Sequence, residues 1–146
     1  MGMLKNIDPL LTPDLLYVLR AMGHGDEIVI VDANYPAESA GPQVVRLDAL
    51  SATQAMDLVM TVMPLDPYVP DACVRMEVVG KPSREEPIFD EFRALLAKHE
   101  GANFKLHKLE RNKFYERARQ CFAVVVTGER RLYGNIILKK GVITPD

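Results

Sequence analysis

The chain has 146 residues, 48% apolar and 26% charged, the balance of an ordinary globular protein with a full hydrophobic core. Its net charge of −2 gives no overall electrostatic draw toward nucleic acid or an anionic membrane. No apolar run reaches the ~18 residues of a membrane span and no basic-then-apolar leader is present, so a soluble cytoplasmic protein is expected, with neither membrane nor nucleic acid as a partner.

Met1 and Gly2 read as an extraneous leader ahead of a natural start at Met3, and residues 3–146 as one domain. Thr12, Pro13 and Asp14 supply a hydroxyl cap, a proline for the first helical position and an acid for the positive dipole end. The helix they start carries an apolar stripe of Leu15, Leu16, Val18, Leu19 and Met22, and Gly23 is expected to end it. Glu27 to Asp32 follows as a strand with the centre Ile28-Val29-Ile30-Val31. Apolar on both faces, such a run suits a central strand covered by helices on either side.

Residues 33–43 form a loop rich in Pro, Gly and small side chains, and Val44–Leu47 a short strand. Ser51 and Gln54 make a capping box for a helix reaching about Met63. Pro64, Pro67 and Pro70 mark a rigid turn. Ala72–Val79 alternates as a strand, and Pro87–Lys98 is an amphipathic helix closed by Gly101. Phe104–Leu109 alternates apolar with basic residues in the manner of an edge strand. A short helix over Asn112–Gln120 and strands at Phe122–Val126 and Tyr133–Leu138 complete the chain. Alternating helices and strands predict a three-layer α/β/α domain with a mostly parallel mixed sheet.

Two cysteines, Cys73 and Cys121, lie in apolar runs and form no metal-binding spacing, so buried free thiols are expected. Residues 105–140 hold ten Lys/Arg against three Glu, leaving the remainder near −9. Glu110, Glu116 and Glu129 interrupt this basic third. Pairing within or between subunits therefore accounts for it better than a nucleic-acid patch.

Of three histidines, His99 at a helix end is expected in solvent and His107 on the edge strand at the surface. His24 stands apart. Gly23 and Gly25 flank it without a Cβ, so a ligand can approach its backbone closely, and the turn feeds a buried strand. Asp32 ends that strand, where ligands of open α/β sheets bind. The two residues lie about 20 Å or more apart if everything between them is extended. Either the chain turns back or two subunits share the site. Glycines that precede a strand are the reverse of a dinucleotide fingerprint, and no histidine pair has metal-ligand spacing. Neither a nucleotide nor a metal cofactor is expected. Tyr133, Gly134 and Asn135 combine a ring face with hydrogen-bonding groups suited to a polyol, or simply form a hairpin turn.

Taken together, Met22-Gly-His-Gly-Asp-Glu27, Asp32-Ala33, Gly41-Pro-Gln-Val44, Phe114-Tyr-Glu-Arg-Ala118, Thr127-Gly-Glu129 and Tyr133-Gly-Asn-Ile-Ile-Leu-Lys-Lys-Gly141 resemble the fucose mutarotase / ribose pyranase family over almost the whole chain. The resemblance implies cofactor-free interconversion of anomers or ring forms of a free monosaccharide. It implies His24 as the acid/base residue and Asp32, Arg111, Tyr115, Tyr133, Gly134 and Asn135 as the sugar-binding set. Arg111 and Tyr115 place the chain nearer the L-fucose branch, with D-ribose pyranase activity or non-catalytic sugar binding and transport as alternatives. It also implies a homodecamer of stacked pentameric rings with sites shared between neighbours. The segment 71–87 matches the pattern less well.

Overall fold

The computed structural model describes residues 3–146; Met1 and Gly2 lie outside the described residues. Its elements in chain order are α1 (Pro13–Ala21), β1 (Glu27–Val31), β2 (Gln43–Leu47), α2 (Ala52–Val62), β3 (Cys73–Met76), α3 (Pro87–Glu100), β4 (His107–Leu109), α4 (Arg111–Arg119), β5 (Ala123–Thr127) and β6 (Ile136–Lys139). The strands form one sheet in the order β2-β5-β1-β6-β3-β4. All neighbouring pairs are parallel except those of β6, which runs antiparallel between β1 and β3.

The doubly apolar run of β1 divides between two cores. Ile28 and Ile30 pack with α1, α2 and α3, whereas Val29 and Val31 face Phe114 and Ala118 of α4. The three layers expected from the sequence are thus present but unequal, with three helices on one face and one short helix on the other. Thr12 caps α1 through the Leu15 amide, and the Ser51–Gln54 capping box of α2 is complete in both directions. Gly101, at φ 74°, takes the left-handed conformation at the C-cap of α3 that an L side chain resists.

Four expectations need correction. The helix ahead of His24 is not ended by a left-handed Gly23. Instead α1 stops at Ala21, and the Lys140 ammonium, arriving from the far end of the chain, donates to the carbonyls of Leu19 (2.6 Å) and Met22 (2.5 Å). A cation there complements the negative end of the helix dipole. The strands drawn at Ala72–Val79 and Phe104–Leu109 shrink to β3 and β4, because the residues beyond them turn away to build loops. The last strand begins at Ile136 rather than Tyr133, which sits at φ 63° in the left-handed region. Finally, His99 is not in solvent: it is half-buried at the end of α3, with its Nε2 2.6 Å from Asp57 Oδ1 of α2.

Cys73 and Cys121 are both buried free thiols, and burial pushes the Cys121 thiol up to about 12. Much of the basic third is paired inside the chain. Arg117 joins Glu27 (2.5 Å) and Asp71 (2.9 Å), and Arg131 joins Glu129 and Glu91.

Because α4 is the sole helix of its layer among the described residues, its fully buried Phe114 carries that layer's attachment. Phe114→Ala should cost about 3–5 kcal/mol of stability in urea unfolding. It should also loosen Arg111 and Tyr115, which ride on the same helix.

Candidate active site

The carboxyl ends of β1, β3, β4 and β5 and the start of β6 meet at one edge of the sheet. A cavity of about 220 Å³ opens there, lined by Asp32, Asn34, Tyr35, Met76, Val79, Arg111, Tyr115, Leu132, Tyr133 and Asn135. It falls below the roughly 300–1,000 Å³ of sites for drug-sized molecules, which favours a small ligand.

Asp32 and Asn135 form its floor, each 4% exposed. They adjoin because β6 runs beside β1 in the opposite sense, so the residue entering β6 stands next to the one leaving β1. The Asp32 amide donates to Asn135 Oδ1 at 2.9 Å, and the Asn34 amide donates to Asp32 Oδ1 at 3.0 Å. Burial pushes the Asp32 carboxyl above its ordinary value, against the pull of the surrounding Asn34, Asn135, Gly134 and Tyr35 donors. Gly134 is packed against the structure behind the floor: a Cβ there would stand 2.8 Å from Glu129 Cγ and 3.2 Å from Ile88 Cδ1.

Arg111 opens α4 directly after β4, and its guanidinium lies 5.6 Å from the Tyr115 ring centre. Tyr115 in turn packs against Tyr35, with ring centres 5.5 Å apart. The Tyr133 hydroxyl accepts a hydrogen bond from the Val79 amide at 3.1 Å, tying the loop after β3 to the wall. Asp32, Arg111, Tyr115, Tyr133 and Asn135 are therefore brought together as the sequence reading grouped them, with Gly134 packed behind.

His24 is not among them. Five residues of extended β1 separate its turn from Asp32, at a rise of ~3.3 Å each. The chain does not turn back: Gly25 donates to the Lys140 carbonyl, at the end of β6 opposite Asn135. At that far edge His24 is 46% exposed, with Nε2 3.2 Å from Asp66 Oδ1 and its ring edge-on to Tyr68 at 5.8 Å.

The sequence reading missed Asp66. It is 4% exposed, and its own amide is held by the Lys139 carbonyl. Gly141 lies so close that a Cβ would stand 2.4 Å from the Leu65 oxygen, which fixes the turn carrying Asp66. Burial alone would raise the Asp66 carboxyl, but the Tyr68 amide and His24 outweigh it and hold it below the usual carboxylate value. An ionised carboxylate only accepts, so Nε2 is the His24 nitrogen that donates toward Asp66. The one sequence sign was an acid set between Pro64 and Pro67, where a rigid turn aims a side chain.

Glu129, expected only as an acid that pairs with the basic third, also ties the loops behind the cavity together. Its carbonyl accepts from Ala33, next to Asp32, and its carboxylate accepts from the Ala52 amide and Arg131. Among the described residues no group of three or more His, Cys, Asp or Glu stands close enough to hold a metal ion. No helix among them is long and apolar enough to cross a membrane.

The raised Asp32 carboxyl has a measurable sign. The folded chain holds this proton more tightly than the unfolded one, so the group's contribution to stability falls as pH rises through the window above 3.8. Asp32→Asn removes that slope. Its stability relative to the parent, measured by urea unfolding from about pH 3.5 to 6, should therefore climb with pH.

The comparisons extend over the whole of this architecture. Fucose mutarotase from Homo sapiens is 47% identical over 148 residues, covering 96% of this chain and 94% of that protein. Among solved structures, the fucose mutarotase from Streptococcus pneumoniae in complex with L-fucose superposes with a TM-score of 0.89 at 42% identity, over 97% of this chain and all of that one. FucU from Bifidobacterium longum matches with a TM-score of 0.89 at 41% identity, over 96% of this chain and all of that one. Residues 5–143 match a family as a whole, so both the cavity edge and the histidine edge fall within it: the chain belongs to the RbsD / FucU transport protein family.

Proposed function

We propose that this chain is a cofactor-independent mutarotase that interconverts the anomers of a free monosaccharide, L-fucose in the first instance. The single observation that carries the reading is the small cavity with a polar floor of Asp32 and Asn135, in a fold shared with a fucose mutarotase in complex with L-fucose. Asp32 and Asn135 fix sugar hydroxyls, Arg111 hydrogen-bonds an oxygen, Tyr133 packs on the sugar face and Tyr115 closes the side.

Mutarotation breaks the bond between the anomeric carbon and the ring oxygen. The anomeric hydroxyl loses its proton and becomes the aldehyde, while the ring oxygen gains one and becomes the C5 hydroxyl. Rotation about C1–C2 presents the other aldehyde face, and the reverse transfers close the ring. His24 gives the ring oxygen its proton and recovers it, a task suited to an imidazole whose ordinary pKa is ~6.5. Positioned acid/base groups contribute about 10²–10⁴-fold, which suffices for a reaction that already proceeds in water.

Since His24 and the cavity occupy opposite edges of one chain, the working site takes its histidine from a second copy. A closed ring of subunits, doubled into a decamer, delivers the histidine edge of each chain to the cavity edge of its neighbour. The two buried free thiols suit the cytoplasm.

Mixing tests this arrangement. His24→Ala and Asp32→Ala should each lower anomer exchange at least 100-fold, read by exchange NMR on free L-fucose. Dissociated and reassembled together, random mixing should restore about a quarter of the parent activity, because each site draws the two residues from different chains. A His24→Ala protein that exchanges fucose like the parent would remove the histidine from the mechanism. Failure of mixing to restore any activity would place both residues in one chain's site.

A further inference from the structure

One part of the cavity lining serves none of the roles above. Met76, Val79 and Leu132 line it beside the polar floor, and no hydroxyl of a sugar finds a partner on their side chains. Val79 is 54% exposed and Leu132 64%, so neither belongs to the core. Their surroundings are nonetheless held. Met76 is the last residue of β3 and pairs with Leu109, and its carbonyl accepts from the Arg75 guanidinium at 3.2 Å. The Val79 amide is held by the Tyr133 hydroxyl. Leu132 lies between Tyr133 and Arg131, whose guanidinium is clamped by Glu129 and Glu91.

The sheet order places this apolar group relative to the floor. β6 lies between β1 and β3, so Asp32 and Met76 flank the start of β6 from either side. Two strand spacings of ~4.8 Å put them about 10 Å apart, enough for a pyranose ring to lie between. One end of the bound sugar then meets carboxylate and amide, and the other meets methyl and methylene groups.

A hydroxyl set against that end finds no partner on these side chains, whereas a methyl group gains apolar contact. We infer that Met76, Val79 and Leu132 seat the C6 methyl of a 6-deoxyhexose and thereby separate L-fucose from L-galactose, which differs by one hydroxyl on C6. This assignment rests on the mutarotase reading and adds its specificity determinant. D-Arabinose, which keeps the matching hydroxyls but lacks C6, leaves the same space empty.

Three sugars and one double variant test it by exchange NMR. The parent protein should exchange L-fucose with a kcat/KM about tenfold to a hundredfold above L-galactose and D-arabinose. Val79→Ser with Leu132→Ser should lower the L-fucose to L-galactose ratio at least fivefold. Both side chains are more than half exposed, so the fold should tolerate the change, and unchanged thermal melting checks this. Equal rates for L-fucose and L-galactose in the parent, or an unaltered ratio in the double variant, overturn the methyl seat and leave the mutarotase reading standing. Exchange of none of the three sugars by the parent overturns both.

Discussion

A β-strand cannot bring its own two ends together, and the arrangement of this protein follows from that constraint at β1. The strand is buried on both faces, paired on both edges, and carries His24 before its start and Asp32 after its end. Neighbouring β6 runs the other way, so it repeats the separation: Asn135 at its start joins Asp32, while Lys140 at its end joins the turn of His24. In the proposed mutarotase, each edge of the sheet thus gathers a complementary half of a site. One half has shape, donors and acceptors, and the other has an oriented imidazole.

The two halves are held by different means. At the cavity edge, buried polar groups satisfy one another: Thr127 Oγ1 donates to the Val31 carbonyl, Glu129 receives Ala33, and Asn135 receives Asp32. Such a network fixes the Asp32 carboxyl among backbone donors before any ligand arrives, the preorganisation that positioning requires. At the histidine edge a single carboxylate, Asp66, orients a half-exposed ring, and Tyr68 stands beside it 69% exposed.

The order and type of the elements were legible in the sequence because local signals agreed with the tertiary outcome. The Thr12 cap, the Ser51–Gln54 box and Gly101 each act within a few residues, and the apolar pattern of β1 already announced two covered faces. The grouping of Asp32, Arg111, Tyr115, Tyr133 and Asn135 came from resemblance, since these residues are scattered over a hundred positions and only the sheet order unites them. Asp66 escaped notice because its partner is 42 residues away and belongs to another turn. The apolar lining of Met76, Val79 and Leu132 escaped for a related reason, as a Val or Leu in a loop carries no sign of what it faces. Lys140 is the clearest case of distance defeating local reasoning: a glycine stood where a helix stop was wanted, yet the stop came from 118 positions away.

That contact couples parts of the molecule that sequence would treat as independent. Helix ends ordinarily fray on their own, with opening costs far below global unfolding. Here the last turn of α1 is pinned by an amine whose backbone continues the central antiparallel strand, so unwinding it means disturbing the sheet. The turn that carries the imidazole is tied to the same strand, since Gly25 donates to the Lys140 carbonyl, although the turn is flanked by glycines and lies open to water.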